Sequence, residues 1–131
     1  MIRPRLRLHD YLQHILAAIG RIESHATGFD RAASMSDAKT RDAVVRQFQI
    51  IGEAAQNVRQ QHHDFVAAHP EAPWRAAYGM RNALAHGYYD VDLLRVWTTV
   101  QNDLPAFAEQ IRAMLREMDE STATDGPIPG A

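Results

Sequence analysis

The sequence predicts an all-α protein, an antiparallel bundle of four to five helices, on the strength of three observations. Apolar residues recur at spacings of three and four along three long stretches, which is the pattern of helices that bury one face. No stretch alternates apolar and polar residues convincingly enough to indicate a strand. Short polar, glycine- or proline-containing segments separate the stretches, and short connections favour helices packed side by side.

The first two predicted helices have well-marked apolar faces. The first face runs through residues 8–22, and Gly28 falls in the break that follows it. Ser36 and Asp37 predict the start of the second helix, because short polar side chains accept hydrogen bonds from free N–H groups at a helix start. The apolar face of that helix occupies residues 44–58.

A turn and two further helices follow. Residues 69–73, His-Pro-Glu-Ala-Pro, predict the turn and place Pro73 at the first position of a third helix over residues 74–86. Gly87 is a favourable stop for that helix. The fourth apolar pattern spans residues 93–118 and contains Pro105, which predicts a kink or two helices in line.

Length and composition limit the class of protein. The chain has 131 residues, which suits one domain with one hydrophobic core. We assign residues 1–118 to the helical domain and expect residues 119–131 to form a flexible C-terminal tail. Apolar residues make up 46% of the chain, which is typical of a packed globule. The absence of cysteine excludes disulfides and zinc–thiolate sites.

Charge and hydropathy narrow the expected location and partners. The formal net charge is −2, so any nucleic-acid contact must be local or assembled from more than one chain. The N-terminus is basic but lacks the uninterrupted apolar segment of a signal peptide, and no apolar run is long enough to span a bilayer. We therefore expect a cytoplasmic protein without a membrane partner.

Arg81 lies within the apolar stripe of the third helix, on the same face as Trp74 and Tyr78. Burying an unpaired guanidinium is costly, so this residue needs a partner or a role. A structural salt bridge is one interpretation, either with an aspartate or with Glu53, which we expect as a carboxylate in the middle of the core. A functional site is the other, with Glu53 in a supporting position.

His86 follows Arg81 by five residues, which is about 140° around an ideal helix, so the two side chains diverge. They converge only if the helix loosens before Gly87 or if a partner chain completes the site. A structural alternative is a histidine that serves the C-terminal helix dipole. Chemically, the pair suits metal-free RNA cleavage, because histidine can act as acid or base and arginine can hold two phosphate oxygens. Two copies facing across a dimer axis would supply both acid and base.

A second polar cluster contains His62, His63, Asp64 and His69. Consecutive helix positions point about 100° apart, so His62 and His63 do not share a metal ion well. The sequence therefore favours a solvated helix end at this cluster over a metal site.

The sequence contains an R-X4-H-X-Y motif, formed by Arg81, His86 and Tyr88. This motif resembles that of the HepT toxins of the HEPN superfamily. The resemblance extends to IGEAAQ at 51–56, APWRAAYGMRN at 72–82 and AHGYYDVD at 85–92. It covers roughly residues 8–115, in the order of the family.

The resemblance implies a homodimeric HEPN-like bundle with the motif at the dimer cleft, acting as a metal-independent endoribonuclease toxin without a cofactor. It implies catalytic roles for Arg81 and His86 and a supporting role for Asn82. The implied partner is a minimal nucleotidyltransferase antitoxin, MntA, of a type VII toxin–antitoxin system, which silences the toxin by attaching AMP to Tyr88. Tyr89 is the neighbouring alternative, and the RNA substrate, tRNA or mRNA, stays open. The rival hypothesis is a non-catalytic helical subunit that binds the nucleotidyltransferase.

Overall fold

The computed structural model describes residues 4–26, 38–85, 98 and 102–124. This part of the chain is almost entirely helical and contains no strand, which confirms the predicted all-α class. Its helices are α1 Pro4–Ala26, α2 Ala38–Gln61, α3 His63–Ala68, α4 Trp74–Ala85 and α5 Leu104–Thr124.

The hydrophobic core is built from the predicted apolar stripes of α1, α2 and α5. Full burial of one such aliphatic side chain contributes about 1.5–3 kcal/mol, so these stripes dominate the stability of the bundle. The largest side chains with almost no exposure are Leu12, Ile15, Ile19 and Ile22 of α1, Val44, Ile51 and Val58 of α2, and Ile111 and Met114 of α5.

Helices α1 and α2 pack against each other in opposite directions. The Tyr11 hydroxyl, near the start of α1, donates to Gln61 Oε1 at the end of α2 over 3.4 Å. Farther along α1, Arg21 Nη1 donates to Gln47 Oε1 in the first half of α2 over 3.2 Å. The two contacts together establish the antiparallel arrangement that the sequence predicts.

Helix α5 also runs antiparallel to α1, since His9 Nε2 lies 3.5 Å from Asp119 Oδ1 near the far end of α5. Pro105 is the second residue of α5, where a missing N–H removes no helical hydrogen bond. Residues 102–103, which precede α5, adopt π-helical geometry. The helix continues past residue 118 to Thr124, and the domain limits of 1–118 and 119–131 stay a prediction.

The short helix α3 was not predicted from the sequence. His62 interrupts the helical path with φ −136° and ψ 60°, although its N–H still donates to the Val58 carbonyl over 2.9 Å. A new turn begins immediately, because the Val66 N–H donates to the His62 carbonyl over 3.1 Å. Phe65 and Val66 pack against the core, but six residues are too few to show a helical period in the sequence.

Candidate functional site on helix α4

The start of α4 is fixed by local hydrogen bonds. The Ala77 N–H donates to the Pro73 carbonyl over 2.9 Å, so Pro73 accepts the first hydrogen bond of the helix. The observed start at Trp74 coincides with the start of the predicted range 74–86, and Pro73 lies directly before it. The indole Nε1 of Trp74 donates to the His69 carbonyl over 3.1 Å and thereby closes the turn that precedes the helix.

Trp74 also anchors α4 to its neighbours. Its side chain is only 4% exposed and meets Phe107 of α5 edge to face, with ring centroids 6.0 Å apart. A second edge-to-face contact, at 6.2 Å, joins it to Phe65 of α3. Such aromatic pairs stabilise a core beyond the contribution of their buried area. The first residue of the helix that contains the start of the motif is therefore firmly packed.

The structure places only part of the predicted motif. Arg81 and Asn82 lie in the helical backbone of α4, whose described length ends at Ala85, one residue before the predicted end. Position 81 follows Tyr78 by three residues and Trp74 by seven, the spacings of about one and two helical turns. His86, Gly87, Tyr88 and Tyr89 lie outside the described residues. The convergence of His86 with Arg81 therefore stays a prediction.

Glu53 was expected as a carboxylate in the middle of the core, and this expectation is wrong. Its side chain is exposed, whereas Ile51, Gly52, Ala54 and Ala55 around it are buried. The reason is geometric, since Ile51 and Ala55 share the face that points inward and Glu53 lies about 200° around the helix from Ile51. Glu53 belongs to the helix that packs along α4, and its supporting role stays a prediction.

The sequence did not predict the cation–π contact between α2 and α4. The Arg59 guanidinium carbon lies 5.9 Å from the ring centroid of Tyr78, within the range of a cation–π interaction. Arg59 Nη1 also donates to Gln56 Oε1, one turn earlier on α2, over 3.0 Å. The one signal in the sequence is that Arg59 directly follows the buried stripe residue Val58.

Arginines outnumber acidic residues along α4 and the second half of α2, where Glu53 is the one acidic residue. Helix α4 contains Arg75 and Arg81 and no acidic residue, and residues 54–61 of α2 contain Arg59 and no acidic residue. The chain as a whole carries a net charge of −2. These two segments therefore supply the local positive charge that an RNA contact requires of such a protein.

A cleft of about 490 Å³ lies between α2, α5 and the first turn of α4. Phe48, Ala77 and Phe107 contribute apolar walls, while Glu71 and Asp103 add carboxylates. The Gln110 side-chain amide, which also lines the cleft, donates to the Glu71 carbonyl over 3.1 Å. Carboxylates repel phosphate, so the chemistry of this cleft does not suit an RNA backbone.

The histidine cluster divides into two parts. His63 and Asp64 are exposed on α3, beside a hollow that residues 61–65 line. His69, in contrast, places Nδ1 3.1 Å from Glu71 Oε1 and Nε2 3.9 Å from Glu117 Oε2 of α5. Within the described ranges, no three or more histidine and carboxylate side chains are grouped to hold a metal ion.

The fold defines the class of protein, a small bundle of antiparallel helices. The helix that contains the start of the motif, α4, carries arginines and no acidic residue. A family model described as "Ribonuclease HepT-like" matches residues 15–114. The chain belongs to this family, which confirms the HepT and HEPN resemblance. None of the helices in the described part of the chain has the length and apolar character needed to cross a membrane.

Two relatives show how far the similarity extends. The chain is 41% identical over 97 residues to "Probable ribonuclease HepT" of Thermococcus cleftensis, a match that covers 74% of this chain and 86% of the relative. It is 30% identical over 107 residues to "Putative RNase TTE0752" of Caldanaerobacter subterraneus subsp. tengcongensis, covering 82% and 93%. No solved structure matches the chain.

Proposed function

We propose that this chain is a metal-independent endoribonuclease, the toxin of a HepT/MntA-type toxin–antitoxin pair. The observation that carries the proposal is the R-X4-H-X-Y motif at residues 81–88, which begins on α4, in a chain that belongs to the ribonuclease HepT-like family. The similarity to the probable ribonuclease HepT of Thermococcus cleftensis supports the same activity here.

The proposed reaction uses one acid, one base and one cation. A neutral His86 takes the proton of a 2′-hydroxyl, whose oxygen attacks the adjacent phosphorus while the bond from phosphorus to the 5′-oxygen breaks. A protonated His86 of a second copy gives a proton to the departing 5′-oxygen. Arg81 stabilises the negative charge on the phosphate, and Asn82 and Glu53 support the motif. The products carry a 2′,3′-cyclic phosphate and a 5′-hydroxyl.

The proposed regulation acts on Tyr88. A nucleotidyltransferase antitoxin attaches AMP to the tyrosine hydroxyl, which adds bulk and negative charge beside the motif. Added phosphate charge repels an RNA backbone in the same way that phosphorylation disrupts an anion site. The spacing of the motif favours Tyr88 over Tyr89.

The test is RNA cleavage in EDTA by protein that mass spectrometry shows to be free of AMP. We expect wild-type protein to leave 2′,3′-cyclic phosphate ends. We expect Arg81→Ala and His86→Ala each to lower the cleavage rate by at least about 100-fold, as loss of a charge-stabilising donor or of a general acid–base group does. Arg112→Ala and His63→Ala are matched controls, because both side chains are exposed and lie outside the motif.

The outcomes separate the site from the function. Cleavage that persists in both motif variants would show that the active site lies elsewhere. Cleavage that EDTA abolishes would contradict the metal-independent mechanism. No cleavage by AMP-free wild-type protein would favour the rival function, a non-catalytic subunit that binds a nucleotidyltransferase.

A further inference from the structure

Arg59 of α2, which contacts Tyr78 of α4, has no role in the reaction described above. We infer that Arg59 is a further RNA-binding residue, whose guanidinium binds a backbone phosphate next to the one that is cleaved. The inference rests on the proposed ribonuclease function and names a substrate contact outside the R-X4-H-X-Y motif.

The first support is that Arg59 is held in place. Its guanidinium lies 5.9 Å from the Tyr78 ring centroid and donates to Gln56 Oε1 over 3.0 Å. Both Arg59 and Tyr78 are half-buried, so the arginine side chain is ordered before any ligand arrives. An ordered arginine loses less conformational entropy on binding phosphate than a free surface arginine does.

The second support is proximity to the motif. Tyr78 lies three residues before Arg81 on α4, which is about 4.5 Å along the helix axis. Residues three apart on a helix are neighbours on its surface. The ring that contacts Arg59 therefore belongs to the helical turn that leads to the proposed catalytic arginine.

The third support is the kind of partner that Arg59 has among the described residues. Among the described residues, Arg59 contacts a glutamine oxygen and an aromatic ring, neither of which neutralises a guanidinium. The hydrogen bond to Gln56 uses one of the five N–H donors of the guanidinium. In the described part of the chain, these contacts leave further N–H donors for a phosphate, and residues 54–61 contain no carboxylate.

The test compares Arg59→Gln with Arg21→Gln. Arg21 is a matched control, because it too donates to a glutamine side chain of α2, from an exposed position on α1. Binding of a short fluorescein-labelled single-stranded RNA is measured in the His86→Ala background, over a series of salt concentrations. Cleavage kinetics of the same variants are measured in protein with His86 intact.

We expect Arg59→Gln to raise the Kd for RNA about tenfold, as loss of a charge-assisted hydrogen bond does. The slope of log Kd against log salt should fall by about one, the value for a single lost phosphate contact. KM should rise with little change in kcat, because the contact is remote from the reacting bonds. Arg59→Lys should retain the salt slope, and Arg21→Gln should match the wild type.

Equal RNA binding by Arg59→Gln and Arg21→Gln would overturn the inference and leave Arg59 as a structural clamp between two helices. Should Arg59→Gln fail to fold, the Arg59 Nε–Hε signal in an NMR titration of His86→Ala protein with the same RNA decides the matter. A shift of that signal but not of the Arg21 signal supports the contact, and no shift overturns it. Folded wild-type protein that neither binds nor cleaves RNA would instead refute the proposed function, and the inference with it.

Discussion

At the scale of single residues, His62 shows how burial changes the chemistry of a side chain. Its ring is half-buried, edge-on to Tyr11 with centroids 6.4 Å apart, and its Nε2 atom is shielded from solvent. Among the described residues, no group hydrogen-bonds to that nitrogen. Burial lowers the pKa of His62 below its ordinary value of 6.5, because the charged form loses hydration. The imidazole is therefore neutral at neutral pH.

This lowered pKa makes stability depend on pH. As pH falls below 6.5, the unfolded chain takes up a proton that the folded chain resists until the lower, folded-state pKa is reached. The free energy of unfolding therefore decreases across that window. We expect His62→Gln to lose less stability than the wild type between about pH 8 and about pH 5, measured by urea denaturation. His63→Gln, at an exposed position, is the control, and identical pH profiles for wild type and His62→Gln would contradict the prediction.

Arg81 and Arg59 differ in whether the sequence alone could identify them as candidate functional residues. Arg81 could be identified from the sequence because a charged residue interrupts an apolar stripe. Arg59 could not, because an arginine next to a stripe position is ordinary on a helix surface. Arg59 became a candidate through its contact with Tyr78, which belongs to another helix.

At the scale of elements, the position of α4 depends on its first residue. Trp74→Ala removes a buried aromatic side chain and should lower the free energy of unfolding by about 3–5 kcal/mol. Trp74→Phe keeps most of the packing but loses the hydrogen bond to the His69 carbonyl, which costs about 1–2 kcal/mol. Urea denaturation of both variants measures the two contributions separately. A Trp74→Phe variant as stable as the wild type would show that the indole hydrogen bond adds no net stability.

At the scale of the whole molecule, the proposed chemistry depends on two copies of the chain. The motif supplies one histidine per chain, whereas the reaction uses an acid and a base. Dimers dissociate on dilution by mass action, so a site that needs both copies loses activity as they separate.

We therefore expect cleavage per mole of protein to fall on dilution, in parallel with the dimer fraction that analytical ultracentrifugation measures. An inert carrier protein at constant concentration controls for adsorption losses. Constant activity per mole across concentrations at which the protein is monomeric would contradict the dimeric site.

The sequence by itself determined the helical class, the buried faces of α1, α2 and α5 and the start of α4 to within one residue. These features follow from helical periodicity and from the turn at residues 69–73, both of which are local along the chain. The motif at residues 81–88 was also identified from the sequence alone, and the arrangement of its side chains stays a prediction.

Only the tertiary structure decided the features that depend on contacts between elements. Helix α3 packs against the core through Phe65 and Val66, although its six residues are too few to show a helical period in the sequence. Glu53 was expected in the middle of the core, and the packing of α2 leaves its side chain exposed. Arg59 gained its partner ring when α2 and α4 came together. Such contacts join residues far apart along the chain, and a pattern of nearest neighbours carries no information about them.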